Sequence, residues 1–172
     1  MSNEPLERIL DPIESFIVGT IGAPGEREFY LQAKFHGGIH SFAIEKGQVS
    51  ALADRMAVLI GELKAAEYRF ENLIPVNFEV PLIPEFQVGT ISIIWLEESE
   101  QVLIELQELP QTEEGSEITL RLFKLFMSAD IANNFISQSR KVVAAGRLPC
   151  PFCGLPINSN GHLCPRANGY RR

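Results

Sequence analysis

The chain has 172 residues, 45% of them hydrophobic and 22% charged, which is the composition of a folded globular protein and excludes the disordered regime. Its formal charge of −7 hides an asymmetry: residues 131–172 contain no acid and carry +6, leaving −13 on residues 1–130. Met1 to Pro12 lacks the basic start and apolar stretch of a secretory signal, and no run approaches the length of a membrane span, so a cytoplasmic protein with no membrane association is expected.

Residues 1–12 are polar and acidic and read as an N-terminal arm. A first strand, Phe16 to Ile21, opens into a Gly22-Ala-Pro-Gly25 turn. Glu28 to Phe35 follows, with Phe29, Leu31, Ala33 and Phe35 on one face, and a His36-Gly-Gly38 turn leads into Ile39 to Ile44. Period-two alternation bounded by glycine and proline predicts three consecutive strands. Val49, Leu52, Met56, Leu59 and Leu63 then recur at three- and four-residue steps, the spacing of an amphipathic helix. Asn72 to Glu85 holds three prolines but alternates Val76, Phe78 and Val80, and reads either as an edge strand or as a bridge.

The second half begins at Phe86 to Trp95, followed by an acidic turn at Glu97 to Glu100 and a Val102/Ile104/Leu106 strand. A polar loop from Pro110 to Ser116 leads to an Ile118/Leu120/Leu122 strand. A closing helix is predicted, with Ser128 as N-cap, Ile131, Phe135 and Val142 on its buried face, Arg140 and Lys141 in the last turn and Gly146 as the stop. Phe16-Ile-Val-Gly-Thr-Ile21 and Phe86-Gln-Val-Gly-Thr-Ile91 match at five of six positions, 70 residues apart. The elements that follow each copy agree, so an internal duplication is expected.

The expected fold class is therefore α+β. Two tandem three-strand-plus-helix repeats, about 13–70 and 85–146, pack as one pseudo-twofold body over 13–146, followed by a zinc-stapled C-terminal segment over 147–172. Gly19 and Gly89 lie inside strand patterns, where a missing side chain marks a bulge or a close backbone approach. Pseudo-symmetry would bring Gly19-Thr20 towards Gly89-Thr90 and make a cleft for a small ligand.

All three cysteines fall in the last quarter, as Cys150-Pro-Phe-Cys153 and then His162-Leu-Cys164. Three thiolates and an imidazole are borderline-soft donors that suit Zn2+, and four protein ligands leave no open position for chemistry, so the site holds structure. Two other readings of Cys-x-x-Cys fit less well. A nucleobase deaminase needs His-x-Glu, whose glutamate moves the proton, and here a cysteine stands in that place. A redox dithiol of the thioredoxin kind follows a strand and opens a helix, whereas Pro149, Pro151 and Gly154 describe a tight loop.

This zinc-knuckle-like tail has few apolar residues beyond Phe152, Leu155, Ile157 and Leu163, so metal binding there is also folding. Arg166, Asn168, Tyr170, Arg171 and Arg172 are the candidate partner contacts, because an aromatic flanked by arginines can stack on a base, clamp a phosphate or fill a partner's pocket. The alternative is an Asn168-Gly169 turn that folds Tyr170 back over the zinc loop. His36 and His40 beside their turn read as solvated, with no side chain placed to complete a nucleophilic pair.

Pro149-Cys-Pro-Phe-Cys-Gly154, Gly161-His-Leu-Cys-Pro-Arg166 and Asn168-Gly-Tyr-Arg-Arg172 together resemble the C-terminal signature of a bacterial family catalogued as a domain of unknown function, number 3090. Val18-Gly-Thr20, Leu31-Gln-Ala33, Glu45-Lys46 with Gln48-Val49, and Val88-Gly-Thr90 are similar to the same family's pattern, so most of the chain is covered. Departures are small, as at Asn158-Ser159 between the ligand pairs. The resemblance implies a cytosolic protein with metal ligands at Cys150, Cys153, His162 and Cys164, and brings no activity or partner with it.

The leading expectation is a non-enzymatic interaction or adaptor protein whose basic zinc-containing tail binds a macromolecular partner, a protein rather than nucleic acid because the body is acidic. One alternative is an enzyme or small-ligand binder using the Gly19, Thr20, Gly89, Thr90 cleft. The other is a binder of single-stranded nucleic acid.

Overall fold

A computed structural model describes residues 4–111, 119–157 and 161–166. The chain runs β1 (Leu6–Leu10), β2 (Ser15–Ile21), β3 (Glu28–Phe35), β4 (Gly38–Ile44), α1 (Lys46–Ala65), β5 (Val88–Leu96), β6 (Gln101–Glu108), β7 (Arg121–Ser128) and α2 (Ala129–Ala144). Strands β2, β3 and β4 form one antiparallel sheet in chain order. Strands β5, β6 and β7 form a second antiparallel sheet, and β1 is added parallel to β7 as its fourth strand. The fold is thus α+β, with two sheets, two helices and a cysteine–histidine cluster near the C-terminus.

Local chemistry explains most of these elements. Phe16, Val18, Phe29, Leu31, Ala33, Phe42 and Ile44 alternate onto one buried face of the first sheet. His36 and Gly37 both have positive φ, at 48° and 76°, which is what a two-residue hairpin loop between right-twisted strands requires. Helix α1 starts in a capping box between Glu45 and Gln48, and Ser128 caps α2 by accepting from the Ile131 N–H at 3.3 Å. Gly89 sits at a β-bulge between Val88 and Thr90, where a Cβ would lie 2.9 Å from Leu109 Cα.

Glutamines finish two sheet edges. The side-chain amide of Gln138 in α2 donates to Val18 O at 2.6 Å and accepts from Val18 N at 3.0 Å on the open side of β2. From α1, Gln48 donates to Val88 O and Gly89 O on β5 at 3.2 and 3.0 Å. Each helix therefore satisfies backbone groups that an unpaired edge strand would leave open.

The sheets share a single apolar core. Phe42 of β4, Phe86 ahead of β5 and Phe123 of β7 meet with centroids 5.0 to 5.7 Å apart, while Phe16 stacks on Phe135 of α2 at 4.7 Å. Along α1 the fully buried residues are Val49, Leu52, Ala53, Met56 and Ile60; Leu59 and Leu63 are only half-buried.

Two expectations are corrected. Residues 6–10 form a strand, not part of an arm: Leu10 is buried, and Glu7 pairs with Lys124 of β7 at 2.9 Å. The last strand is Arg121–Ser128, with Phe123, Leu125 and Met127 inward. Leu122 lies on its other face and Leu120 precedes it, so the expected alternation was out of phase by one residue, and Ile118 lies outside the described residues.

Residues 72–85 form no edge strand; they bridge α1 and β5. They cross the outer face of the first sheet as a strap. The Gln32 amide donates to Glu79 O at 2.8 Å and accepts from Glu79 N at 2.9 Å, and Glu85 N donates to Ser41 O at 2.7 Å. Phe78 fills the space above Gly19, where an added Cβ would come within 2.2 Å of the ring.

Gly19→Ala should therefore destabilise the protein by about 1–3 kcal/mol through overpacking. In a Phe78→Ala background the same substitution should cost at least about 1 kcal/mol less, as read from urea unfolding of the four variants. Equal costs in both backgrounds would show that the strap does not rest on Gly19.

Candidate metal centre

Beyond α2 the chain makes a short hairpin. Pro149 and Pro156 bridge antiparallel, Cys150 N donates to Leu155 O at 2.7 Å, and Ile157 N donates to Leu148 O at 2.9 Å. The turn closes through Gly154 N to Cys150 O at 2.8 Å. Gly154 takes φ +76° with open space around its Cα, so the left-handed backbone, not crowding, is what calls for glycine. Gly161, at φ +84°, turns the second arm, and Arg166 Nη1 ties it back by donating to Phe152 O at 3.3 Å.

This folding gathers all four expected ligands. Cys150 Sγ lies 3.8 Å from Cys164 Sγ, and Cys153 Sγ lies 3.2 Å from His162 Nε2. All four donor atoms fall within 4.8 Å of one another. Tetrahedral thiolate and imidazole bonds of about 2.3 and 2.0 Å place donors about 3.5–3.8 Å apart, so the cluster matches the reach of one ion. A disulfide would need sulfurs about 2.05 Å apart, and all three cysteines are free.

The hairpin also tunes the sulfurs. Burial opposes a thiolate at Cys150, but the backbone N–H groups of Cys153 and Phe152, with the sulfurs of Cys153 and Cys164, outweigh it and lower its pKa below the ordinary thiol value. Burial pushes the Cys153 thiol up, and the sulfurs of Cys164 and Cys150 push it further, against the N–H of Leu155. Three sulfurs this close cannot all carry full charge unopposed, and a divalent cation between them resolves that conflict. The residues present fit a structural metal ion.

A family model described as "Protein of unknown function (DUF3090)" matches residues 9–164. The chain belongs to the DUF3090 family. The match takes in all four ligands of the DUF3090 chain, and it ends at Cys164. Neither the curated proteins nor the solved structures contain a match to it. No helix among the described residues is long and apolar enough to cross a membrane.

The other expected site residues are dispersed. Arg166 is exposed beside the metal loop, while Asn168, Tyr170, Arg171 and Arg172 lie outside the described residues, as does the Asn168-Gly169 turn. Gly89 and Thr90 line a cavity of about 260 Å³ with Gln48, Ala51, Leu52 and Arg55, and neither Gly19 nor Thr20 is among its walls. Gly19 is instead roofed by Phe78. His40 is not solvated as expected: its Nδ1 lies 2.8 Å from Glu85 Oε1 and its ring faces Phe123. His36 is exposed, as expected, with its ring edge-on to Phe35.

One feature of the tail was not legible in the sequence. Leu163, Leu148, Phe152 and Leu155 are 86%, 76%, 64% and 51% exposed, so the apolar side chains around the ligands face outward instead of forming a small core.

The tail should consequently depend on its ion. Purified protein should carry one tightly bound metal ion per chain, and a strong chelator or Cys164→Ser should release it, removing on the order of 10 kcal/mol of support from this segment. Limited proteolysis should then cut between residues 147 and 166 while far-UV dichroism of the body is retained. A protease-resistant tail in metal-free protein would contradict this assignment.

Proposed function

We propose that this DUF3090 protein is a non-enzymatic interaction protein whose metal-stapled tail docks on a protein partner. The observation that carries the reading is the outward exposure of Leu148, Phe152, Leu155 and Leu163 on one small segment. Large apolar side chains left exposed on a small segment are characteristic of contact surfaces, where aromatic anchors contribute much of the affinity. The metal fixes the hairpin in advance, which lowers the ordering cost of binding.

We assign the ion as zinc, because three thiolates and one imidazole favour it over harder cations. Four protein donors fill a tetrahedral shell, so the ion is read as structural with no place for a substrate. Free thiols at all three cysteines fit a reducing compartment, the cytoplasm.

We also read the body as a tandem duplication with pseudo-twofold symmetry. The Val-Gly-Thr match supports it, since Gln138 meets the edge of β2 at Val18 and Gln48 meets the edge of β5 at Val88 and Gly89. The glutamines come from different turns of their helices. An experimental structure whose β2–β4 and β5–β7 units fail to superpose strand for strand would remove this reading.

Affinity capture from native lysate should recover one partner with the full chain, and Phe152→Ala with Leu163→Ala should weaken that capture at least tenfold without changing metal content. Full retention by the double variant would overturn the reading. Salt-sensitive retention on oligonucleotides that Arg166→Ala weakens would favour nucleic acid instead.

A further inference from the structure

A polar cavity of about 390 Å³ opens where the β2–β3 loop, the start of α1 and the residues just after α2 converge. Its volume is that of a small-molecule site, about 300–1,000 Å³. Three cationic residues line it: Arg27, Lys46 and Arg147, one from each of those segments. They converge on a protein whose overall charge is −7, so the local field there runs against the global one.

Two of the cations address one point. The position that a Cβ on Gly146 would occupy lies 3.3 Å from Arg27 Nη2 and 3.6 Å from Lys46 Nζ. Val143 O lies 3.7 Å from the same position, so a side chain at residue 146 would project between the two cations and the end of α2. Arg27 is held rigidly, with Nη1 donating to Val142 O at 3.1 Å and the guanidinium 5.2 Å over the Phe29 ring. Gly25 lets the third cation approach: Arg147 Cδ lies 3.3 Å from the Cβ position there, and φ is +100°.

Two acids, Glu28 and Glu45, share the lining with the three cations, and each is held by a hydrogen bond. The Glu45 side chain is turned into the first turn of α1 by its capping box. Glu28 accepts from the Tyr30 hydroxyl at 2.8 Å. Among the described residues Lys46 Nζ has no carboxylate partner. Like charges brought this near one another repel; the carbonyls at the end of α2 offset part of that, and an anion between the cations would offset more.

We propose that this cavity binds a small phosphorylated metabolite, with its phosphoryl group between Arg27 Nη2 and Lys46 Nζ and the third cation at Arg147 adding to the field. A carboxylate pairs best with one guanidinium fork, its two oxygens in a single plane. A phosphoryl group offers acceptors in three directions and suits cations arriving from separate segments. Tyr30 and Gln87 also line the cavity and supply polar groups for the rest of the molecule.

The test is calorimetric titration of the full metal-loaded chain with pyrophosphate, and with inorganic phosphate, at low ionic strength. One site per chain is expected. Lys46→Ala should weaken pyrophosphate binding at least tenfold, and Gly146→Ala, which puts a methyl group at the shared point, should do the same. Lys141→Ala removes a cation from α2 outside the cavity and should leave affinity within twofold. No binding of either anion at millimolar concentration would overturn the proposal. So would equal losses in Lys46→Ala and Lys141→Ala, which would mean diffuse attraction. A lowered melting temperature in Lys46→Ala with unchanged binding would also overturn it, because the lysine would then act only on the C-terminal carbonyls of α2.

Discussion

Where the two sheets abut, Phe42, Phe86 and Phe123 meet ring to ring, and the placement of almost everything else follows from that contact. Among the described residues the sheets share no paired strands beyond an isolated bridge between Ala43 and Gln87, so side-chain packing, not a continuous ladder, makes them one body. Each aromatic pair adds about 0.5–1.5 kcal/mol beyond the area it buries. With the sheets fixed, the strap must cross the outer face of the first, and α1 and α2 must close the other side of its core. The same arrangement delivers the end of α2 to the start of α1, where the cationic cavity forms.

The edge glutamines show how the body meets the demand that buried backbone groups be paired. An amide side chain carries a donor and an acceptor in the geometry of a peptide, and Gln138 uses both on Val18. Gln32 does the same for Glu79 in the strap. A segment with three prolines cannot sustain a ladder, so a buried glutamine substitutes for one residue's pair of ladder hydrogen bonds. This is why residues 72–85 carried a strand-like alternation and yet formed no strand.

Legibility followed the range of the interactions. The hairpins of β2–β4, the Ser128 cap and the gathering of three cysteines and a histidine were readable because their determinants lie within a few residues of one another. Strand β1 was not, because its partner β7 is 115 positions away and Leu6 and Ile9 stay exposed, leaving only Leu10 to signal a buried face. In β7 the run from Leu120 to Met127 contains two overlapping alternations, and only packing against Phe42 and Phe86 selects the one through Phe123. The cavity escaped sequence reading for the same reason, since Arg27, Lys46 and Arg147 become neighbours only in the folded chain.

Body and tail differ in how they are built, and Arg147 belongs to both. The body rests on a core of buried aromatic and aliphatic side chains, whereas the described tail residues expose most of their apolar groups and gather three cysteines and a histidine close enough to hold a metal ion. Arg147 lines the cavity and also opens the tail segment, directly before the exposed Leu148. If an anion in the cavity shifts Arg147, the hairpin that begins at Leu148 must respond, and reciprocity requires that a partner on the hairpin alter anion affinity by the same factor. The sign of that coupling depends on whether Arg147 lies closer to its bound position with the tail free or engaged. The two sites would then form one linked system, with the basic segment as its joint.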